Sequence, residues 1–359
     1  MNKVLIVHNQ LPEYRRRFFQ LLGHLYKVEL FITEQKPDSF QNVEGVEICQ
    51  DSGLGLSALR KRLDKKDYQA VVTGNWDTYK RFIEYLTVWW KSRRMGIPCV
   101  VWSEEWQWQF SFARKMMSPV IAITVKQVEA VVVPGERSKK HFLNMGVLGS
   151  RVFTAPNASQ LPTNSEDILQ PDKVRIICLA RFIPRKGIDI LCRAFSKIDC
   201  DAQLVLMGND DPDHPGYREK IQSLVNQLGM TERVIISHAP SNRSEMAVEI
   251  SKGSIVVVPS LNKPMGEPWG LIVNEAMQLS KPIIVSDAVG SGEDLVQHGV
   301  NGFVVPAGQV EPLAKAIEKI CSNESLIKVY GKRSKEIIAL NSYNGMAEGF
   351  SKALDKVLS

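Results

Sequence analysis

Four side chains suited to binding phosphates and hydroxyls stand at two strand-to-helix junctions in the second half of the chain. The first junction reads Ala180-Arg181-Phe182-Ile183-Pro184-Arg185-Lys186-Gly187, between an apolar run ending at Leu179 and a helical pattern from Ile188 to Phe195. Arginine presents a planar fork of donors and lysine a point charge, so Arg181 and Lys186 could clamp a diphosphate where Gly187 opens the helix. A solvated basic loop explains them equally well when they are taken alone. The second junction leads from Pro259-Ser260 through Gly266-Glu267-Pro268-Trp269-Gly270 into a helix that begins near Leu271 and carries Glu275. Backbone amides and the macrodipole at such a helix start favour an anion. A carboxylate beside that anion is adverse for a phosphate-only site, and Glu267 makes sense there as an acceptor for hydroxyl groups. Glu275 falls about one to one and a half turns into the helix, within reach of a ribose. A lone glutamate at such a position is otherwise an ordinary surface residue.

The elements that must position these groups recur along the whole chain. Short apolar runs at Lys3 to His8, Lys27 to Ile32, Ala70 to Thr73, Cys99 to Trp102 and Ala130 to Val133 alternate with amphipathic stretches such as Tyr14 to Gly23 and Lys80 to Met95. A second series follows at Val174 to Leu179, Gln203 to Met207, Val234 to Ser237, Ile255 to Pro259, Pro282 to Ser286 and Gly302 to Val305. This is the pattern of parallel strands joined by crossover helices. At 359 residues the chain exceeds one core, and the polar stretch from Ala158 to Lys173 reads as a linker. The expected domains are residues 1–163 and 170–339, with an amphipathic segment, Tyr343 to Leu358, that could pack anywhere by pattern alone. Doubly wound sheets bind ligands at the carboxyl ends of their strands, where both junctions lie.

The spacing of Glu267 and Glu275, after a Pro-Ser strand end and before Ala276-Met277, resembles the signature of retaining glycosyltransferases of family 4, the group 1 glycosyl transferases. Arg181 and Lys186 fall where that family has its diphosphate-binding cations, and Leu206-Met207-Gly208 resembles its strand-to-glycine turn. Ser286-Asp287-Ala288-Val289-Gly290, Glu293-Asp294-Leu295-Val296 and Gly299-Val300-Asn301-Gly302-Phe303 resemble its closing motifs. The resemblance is specific over about residues 174 to 320 and implies an α/β fold of the GT-B type: two Rossmann-like, doubly wound parallel-sheet domains facing across a cleft. It also implies that the last helix crosses back to the first domain. It further implies a metal-independent hexosyltransferase that moves a sugar, with retention, from a nucleotide-diphosphate sugar to a hydroxyl of a polysaccharide, glycolipid or lipid-linked acceptor. Arg181, Lys186 and Glu267 would be catalytic. Glu275, Gly266, Pro268, Trp269, Gly270, Leu271 and Gly208 would bind the donor, which is a co-substrate, so no cofactor is expected. Two other readings share the architecture: a non-hydrolysing nucleotide-sugar epimerase, and a dinucleotide enzyme or non-catalytic nucleotide-binding module. The last is disfavoured because the first strand lacks a glycine-rich phosphate turn.

The resemblance thins in the first half. His8-Asn9-Gln10-Leu11-Pro12 replaces the glycine-rich loop of many relatives, and one of Arg15, Arg16 and Arg17, foremost Arg15, could hold an acceptor phosphate. Ser103-Glu104-Glu105-Trp106-Gln107-Trp108 lacks the histidine common in relatives, leaving Glu104 or Glu105 to position the acceptor and the tryptophans to offer flat faces. Core tryptophans and helix-capping glutamates are the even alternative, and His141 reads as a plain helix residue. Segment Phe112 to Val125 could rest on a membrane, though burial as a crossover helix is slightly favoured.

The formal charge of +6 suits an anionic ligand or surface but is too small to single out nucleic acid. Six dispersed cysteines read as reduced structural thiols without metal-site spacing. No apolar run reaches the ~20 residues of a membrane span, so the expectation is a cytoplasmic protein, at most peripheral to the inner face of the membrane.

Overall fold

The computed structural model describes residues 1–34, 42–49, 55–65, 67–74, 76–108, 111–162, 173–263 and 265–359. The chain divides into two compact units, residues 1–158 with 341–359, and residues 159–340. Of the polar stretch read as a linker, residues 163–172 lie outside the described residues.

The first unit is built on a parallel sheet of β1 (Lys3–His8), β2 (Lys27–Ile32), β3 (Val46–Ile48), β4 (Ala70–Thr73), β5 (Cys99–Trp102), β6 (Ala130–Val133) and β7 (Val152–Thr154), in the order β3-β2-β1-β4-β5-β6-β7. The second carries β8 (Val174–Leu179), β9 (Ala202–Met207), β10 (Val234–Ser237), β11 (Ile255–Val258), β12 (Ile283–Ser286) and β13 (Gly302–Val305), in the order β10-β9-β8-β11-β12-β13. Central strands such as Ala70–Thr73, Ala130–Val133 and Ile255–Val258 are buried along their whole length, as β-branched runs covered on both faces by helices must be. Two edge strands, β3 and β7, go beyond the sequence expectation. Each has only three residues, too few to show a period.

Helix Tyr343–Leu358 belongs to the first unit, where it packs on helix Glu13–Leu25 and against β6 and β7. Phe350 meets the rings of Phe18 and Trp102 at 5.3 and 5.2 Å, and Tyr343 Oη donates to the carbonyl of Tyr14 at 2.8 Å.

Two expectations need correction. Cys200 and Cys321 form a disulfide with Cα atoms 6.6 Å apart, whereas the four remaining cysteines are free and buried. The 121 residues between the pair hid it in the sequence, and the packing of helix Val310–Cys321 on helix Ile188–Phe195 brings that end of the chain close. Helix Phe112–Val125 is covered on one side only. Arg114, Met117, Ile121, Thr124 and Val125 are buried, but Phe112, Met116, Val120 and Ile123 are exposed.

Candidate active site

The carboxyl ends of β8 and β11 are neighbours in the sheet although β9 and β10 separate them along the chain. This reversal of strand order leaves a crevice outside the strand ends. An open cavity of about 250 Å³ lies there, walled by the end of β8 with Arg181 and Lys186, the end of β11 with Pro259 and Ser260, and Glu267, Gly270, Leu271, Ile272 and Glu275. Arg181, Lys186, Glu267, Gly270, Leu271 and Glu275, named from sequence, therefore share one wall. Gly266, Pro268, Trp269 and Gly208 do not line it. Trp269 is buried and donates from Nε1 to Asn274 Oδ1 at 2.9 Å. Gly208 packs behind β8, where a Cβ would stand 1.8 Å from the carbonyl oxygen of Ala180.

Backbone hydrogen bonds give the loop that carries Glu267 its course. Its amide donates to the Ala288 carbonyl at 2.8 Å, and Gly290 and Ser291 donate back to Glu267 and Trp269 at 2.9 and 3.0 Å. Gly290 is needed for this approach, since a Cβ there would lie 1.9 Å from the Pro268 carbonyl oxygen. The segment after β12 thus supports the loop that bears the carboxylate. Gly270, at φ 89°, then turns the chain into helix Leu271–Gln278, whose first two residues, Leu271 and Ile272, sit at the cavity wall with amides that precede the intrahelical ladder.

Charges are distributed unevenly around the cavity. Lys186 Nζ and Arg185 Nη1 both donate to Glu267 Oε2, the arginine at 3.1 Å. Burial alone would push the Glu267 carboxyl up, but the charges of Lys186 and Arg185 outweigh it and hold the group below the usual carboxylate range. Glu275 is almost fully buried, and its Oε1 accepts from Ser159 Oγ at 2.7 Å and Arg243 Nη2 at 3.2 Å. Here burial wins over the hydroxyl and the guanidinium, and the carboxyl is raised. Arg181 stands at the rim, 58% exposed, with Nη1 on Asp211 Oδ2 at 2.7 Å.

The sequence pattern of the family described as "Glycosyl transferases group 1" matches residues 163–337. The second unit is a group 1 glycosyltransferase domain. An exopolysaccharide phosphotransferase of Streptomyces coelicolor is 28% identical over 58% of this chain and 21% of its own length. A lipopolysaccharide core mannosyltransferase of Rhizobium leguminosarum bv. viciae is 23% identical over 60% of this chain and 61% of its own. The chain thus matches less than two thirds of either curated relative. Anabaena HepE, solved in complex with UDP, is 17% identical and superposes with a TM-score of 0.78 over 99% of this chain and 100% of its own. That likeness identifies the fold as GT-B.

Within the group 1 domain, sequence reasoning passed over Arg185 as a partner of Glu267, and Ser159, Arg243 and Asp211 altogether. Arg185 was legible as a third cation in the same loop. The others carry no local signal: Arg243 opens helix Arg243–Ser251, and its Nη2 also binds the Ser159 hydroxyl and the Gln160 carbonyl, both at 2.9 Å.

The residues expected on the acceptor side lie outside residues 163–337 and sort differently. Arg15, expected to be able to hold a phosphate, is buried and committed to Glu104 and to Asn157 Oδ1, the latter at 2.8 Å. Glu105 is bound by the Arg114 guanidinium and Trp76 Nε1, and burial still raises its carboxyl. Neither caps the following helix, which Ser111 does through the Arg114 amide at 3.3 Å. Of the two glutamates, Glu104 has the more exposed side chain, 33% against 11%. Trp108 meets the ring of His141 at 5.0 Å, and burial followed by the charge of Arg114 lowers that histidine to about 4. Trp106 lies under the Arg137 guanidinium, 5.0 Å from its ring centre.

Among the described residues, no helix is long and apolar enough to cross a membrane.

Proposed function

We propose that the chain transfers a sugar, with retention of configuration, from a nucleotide-diphosphate sugar to a hydroxyl acceptor, in the synthesis of a polysaccharide, glycolipid or lipid-linked precursor. The observation that carries this reading is the single cavity at the β8/β11 reversal, which combines two cations, a helix start and two glutamates of opposite electrostatic character. Lys186, Arg181 and the amides of Gly270 to Ile272 receive the diphosphate. As the bond from the sugar C1 to the diphosphate oxygen breaks, negative charge gathers on that leaving group, and donors already in place stabilise it most at that moment. In this reading the chain's own cations supply the charge that other transferases take from a metal. Glu267, kept ionised, accepts from donor-sugar hydroxyls, and Glu275 accepts from the ribose. A second cavity of about 650 Å³ at the ends of β9 and β10, lined by Met207, His238 and Pro240 among others, suits the base. HepE has also been solved with UDP-glucose, which supports a sugar nucleotide as the ligand class.

Thermal unfolding of the purified chain against UDP-, GDP- and ADP-sugars and NAD tests the reading. A sugar nucleotide at a hundred times its dissociation constant adds about 2.7 kcal/mol to stability. Stabilisation by one sugar-nucleotide class is the expected result, and stabilisation by NAD alone refutes the transferase reading. The same ligand then reports on Glu275. A ribose-binding carboxylate must be ionised, and burial raises this one, so it protonates at a higher pH than an ordinary glutamate. Donor affinity is therefore present above that raised pKa and lost as pH falls through it. Glu275→Gln is expected to bind more weakly and with a flatter pH response. Wild-type affinity that holds unchanged into the ordinary glutamate range contradicts the assignment.

A further inference from the structure

Helix Phe112–Val125 carries an apolar face that stands exposed among the described residues. Phe112 is 81% exposed, Met116 65%, Ile123 58% and Val120 39%. At 100° per residue these four fall within an arc of about 80°, and exposed Pro119 borders it, so the face is a stripe roughly 17 Å long. The opposite side is anchored: Arg114 Nη1 donates to the Trp76 carbonyl at 2.6 Å, and Tyr85 Oη to Thr124 Oγ1 at 2.8 Å. The helix therefore cannot turn its apolar residues inward without breaking buried bonds.

Charge on the helix itself has one sign. The fourteen residues of the helix hold no aspartate or glutamate. Exposed Lys115 and Lys126 lie along one edge of the arc. At the carboxyl end, Arg93 Nη1 reaches the Gln127 carbonyl at 3.5 Å and Arg151 Nη1 the Lys126 carbonyl at 3.3 Å, which gathers Arg93, Lys126 and Arg151 at one point. Glu129, exposed beyond that end of the helix, accepts the Cys99 amide on Oε2 at 2.8 Å.

We infer that this face docks on a bilayer containing anionic lipid. An apolar stripe flanked by cations is the arrangement of an interfacial helix, in which the apolar side chains enter the acyl boundary and the basic ones meet the headgroups. A second copy of the chain is a poorer occupant. A two-fold contact through this stripe would bring together two edges that each carry exposed Lys115 and Lys126. This inference is independent of the donor-site reading, because no residue of the helix lines the cavity between β8 and β11.

Co-sedimentation of the full chain with phosphatidylcholine vesicles, with and without phosphatidylglycerol, is the test. The chain is expected to pellet with the phosphatidylglycerol vesicles at low salt and to be released as salt is raised. Met116→Asp with Ile123→Asp removes the apolar half, and Lys115→Glu with Lys126→Glu inverts the charged half. Each pair alters exposed residues, so thermal unfolding is expected to match wild type, while vesicle binding falls by about tenfold or more. The inference is overturned if wild type stays in the supernatant with anionic vesicles at low salt. It is equally overturned if both pairs bind as wild type does. A dimer that the aspartate pair converts to monomer, with no vesicle binding by wild type, assigns the face to a second copy instead.

Discussion

Lys186→Ala is expected to lower turnover of the donor by two to three orders of magnitude while leaving the thermal unfolding curve close to that of wild type. The size follows from where the charge is used. Removing one preplaced donor from a site where an oxyanion develops costs about 10²–10³ in rate, and Lys186 Nζ lines the cavity while one of its three donors holds Glu267. Losing the lysine also takes one of the two cations shown on Glu267, leaving Arg185, so a half-buried carboxylate becomes less compensated. That second effect separates substitutions. Lys186→Met removes the charge but keeps the stem, whereas Lys186→Arg keeps a charge with another geometry and is expected to recover part of the rate. The loss is expected mainly in kcat, because the leaving diphosphate carries more charge in the transition state than in the bound donor. Equal turnover by Lys186→Ala and wild type with an identified donor removes Lys186 from the chemistry. A collapse of stability would instead mark it as part of the scaffold.

How far the sequence could reach is set by which interactions are local. Runs such as Ala130-Val131-Val132-Val133 and Ile255-Val256-Val257-Val258 announce buried parallel strands because burial on both faces leaves room for little else. The gathering of Lys186, Glu267 and Glu275 was legible for a related reason. Each stands just beyond the carboxyl end of a strand or at the start of the helix that follows, and parallel topology carries all such points to one edge. Partners chosen by tertiary packing left no mark. Ser159 and Glu275 are 116 residues apart, and neither residue type at its own position suggests the other. Arg15 illustrates the reverse failure: an arginine at a helix start reads as a ligand for phosphate, but Glu104 and Asn157 had already claimed it. Helix Phe112–Val125 misled for a third reason. Its composition fits burial, and only the neighbours it lacks on one side distinguish a crossover helix from a docking face.

Gly187→Ala is expected to destabilise the chain by about 2–5 kcal/mol and to damage the donor site at the same time. Gly187 has φ 65°, a conformation that costs an L-residue about 1 kcal/mol, and a Cβ there would meet the Pro259 carbonyl oxygen at 2.1 Å. That oxygen belongs to backbone at the end of β11 and cannot rotate away. The short turn Pro184–Lys186 ends at Gly187, and Leu261 donates its amide to the Arg185 carbonyl at 2.8 Å, so the two loops on either side of the cavity meet at this point. Forcing them apart moves Lys186 away from Glu267 and widens the space in which we propose the diphosphate binds. Gly229→Ala supplies the comparison. Its φ of 66° is nearly the same, but nothing stands within 4 Å of the added Cβ. It is therefore expected to show only the conformational cost and no loss of donor binding. Denaturant midpoints and donor affinities of the two variants separate the terms. Should both lose the same stability, close approach at Pro259 has no energetic weight and the loops are not locked together there. Should Gly187→Ala alone lose both stability and affinity, the glycine is what allows the cation-bearing turn to lie against the end of β11, and the spacing of Lys186 from Glu267 depends on the absence of one methyl group.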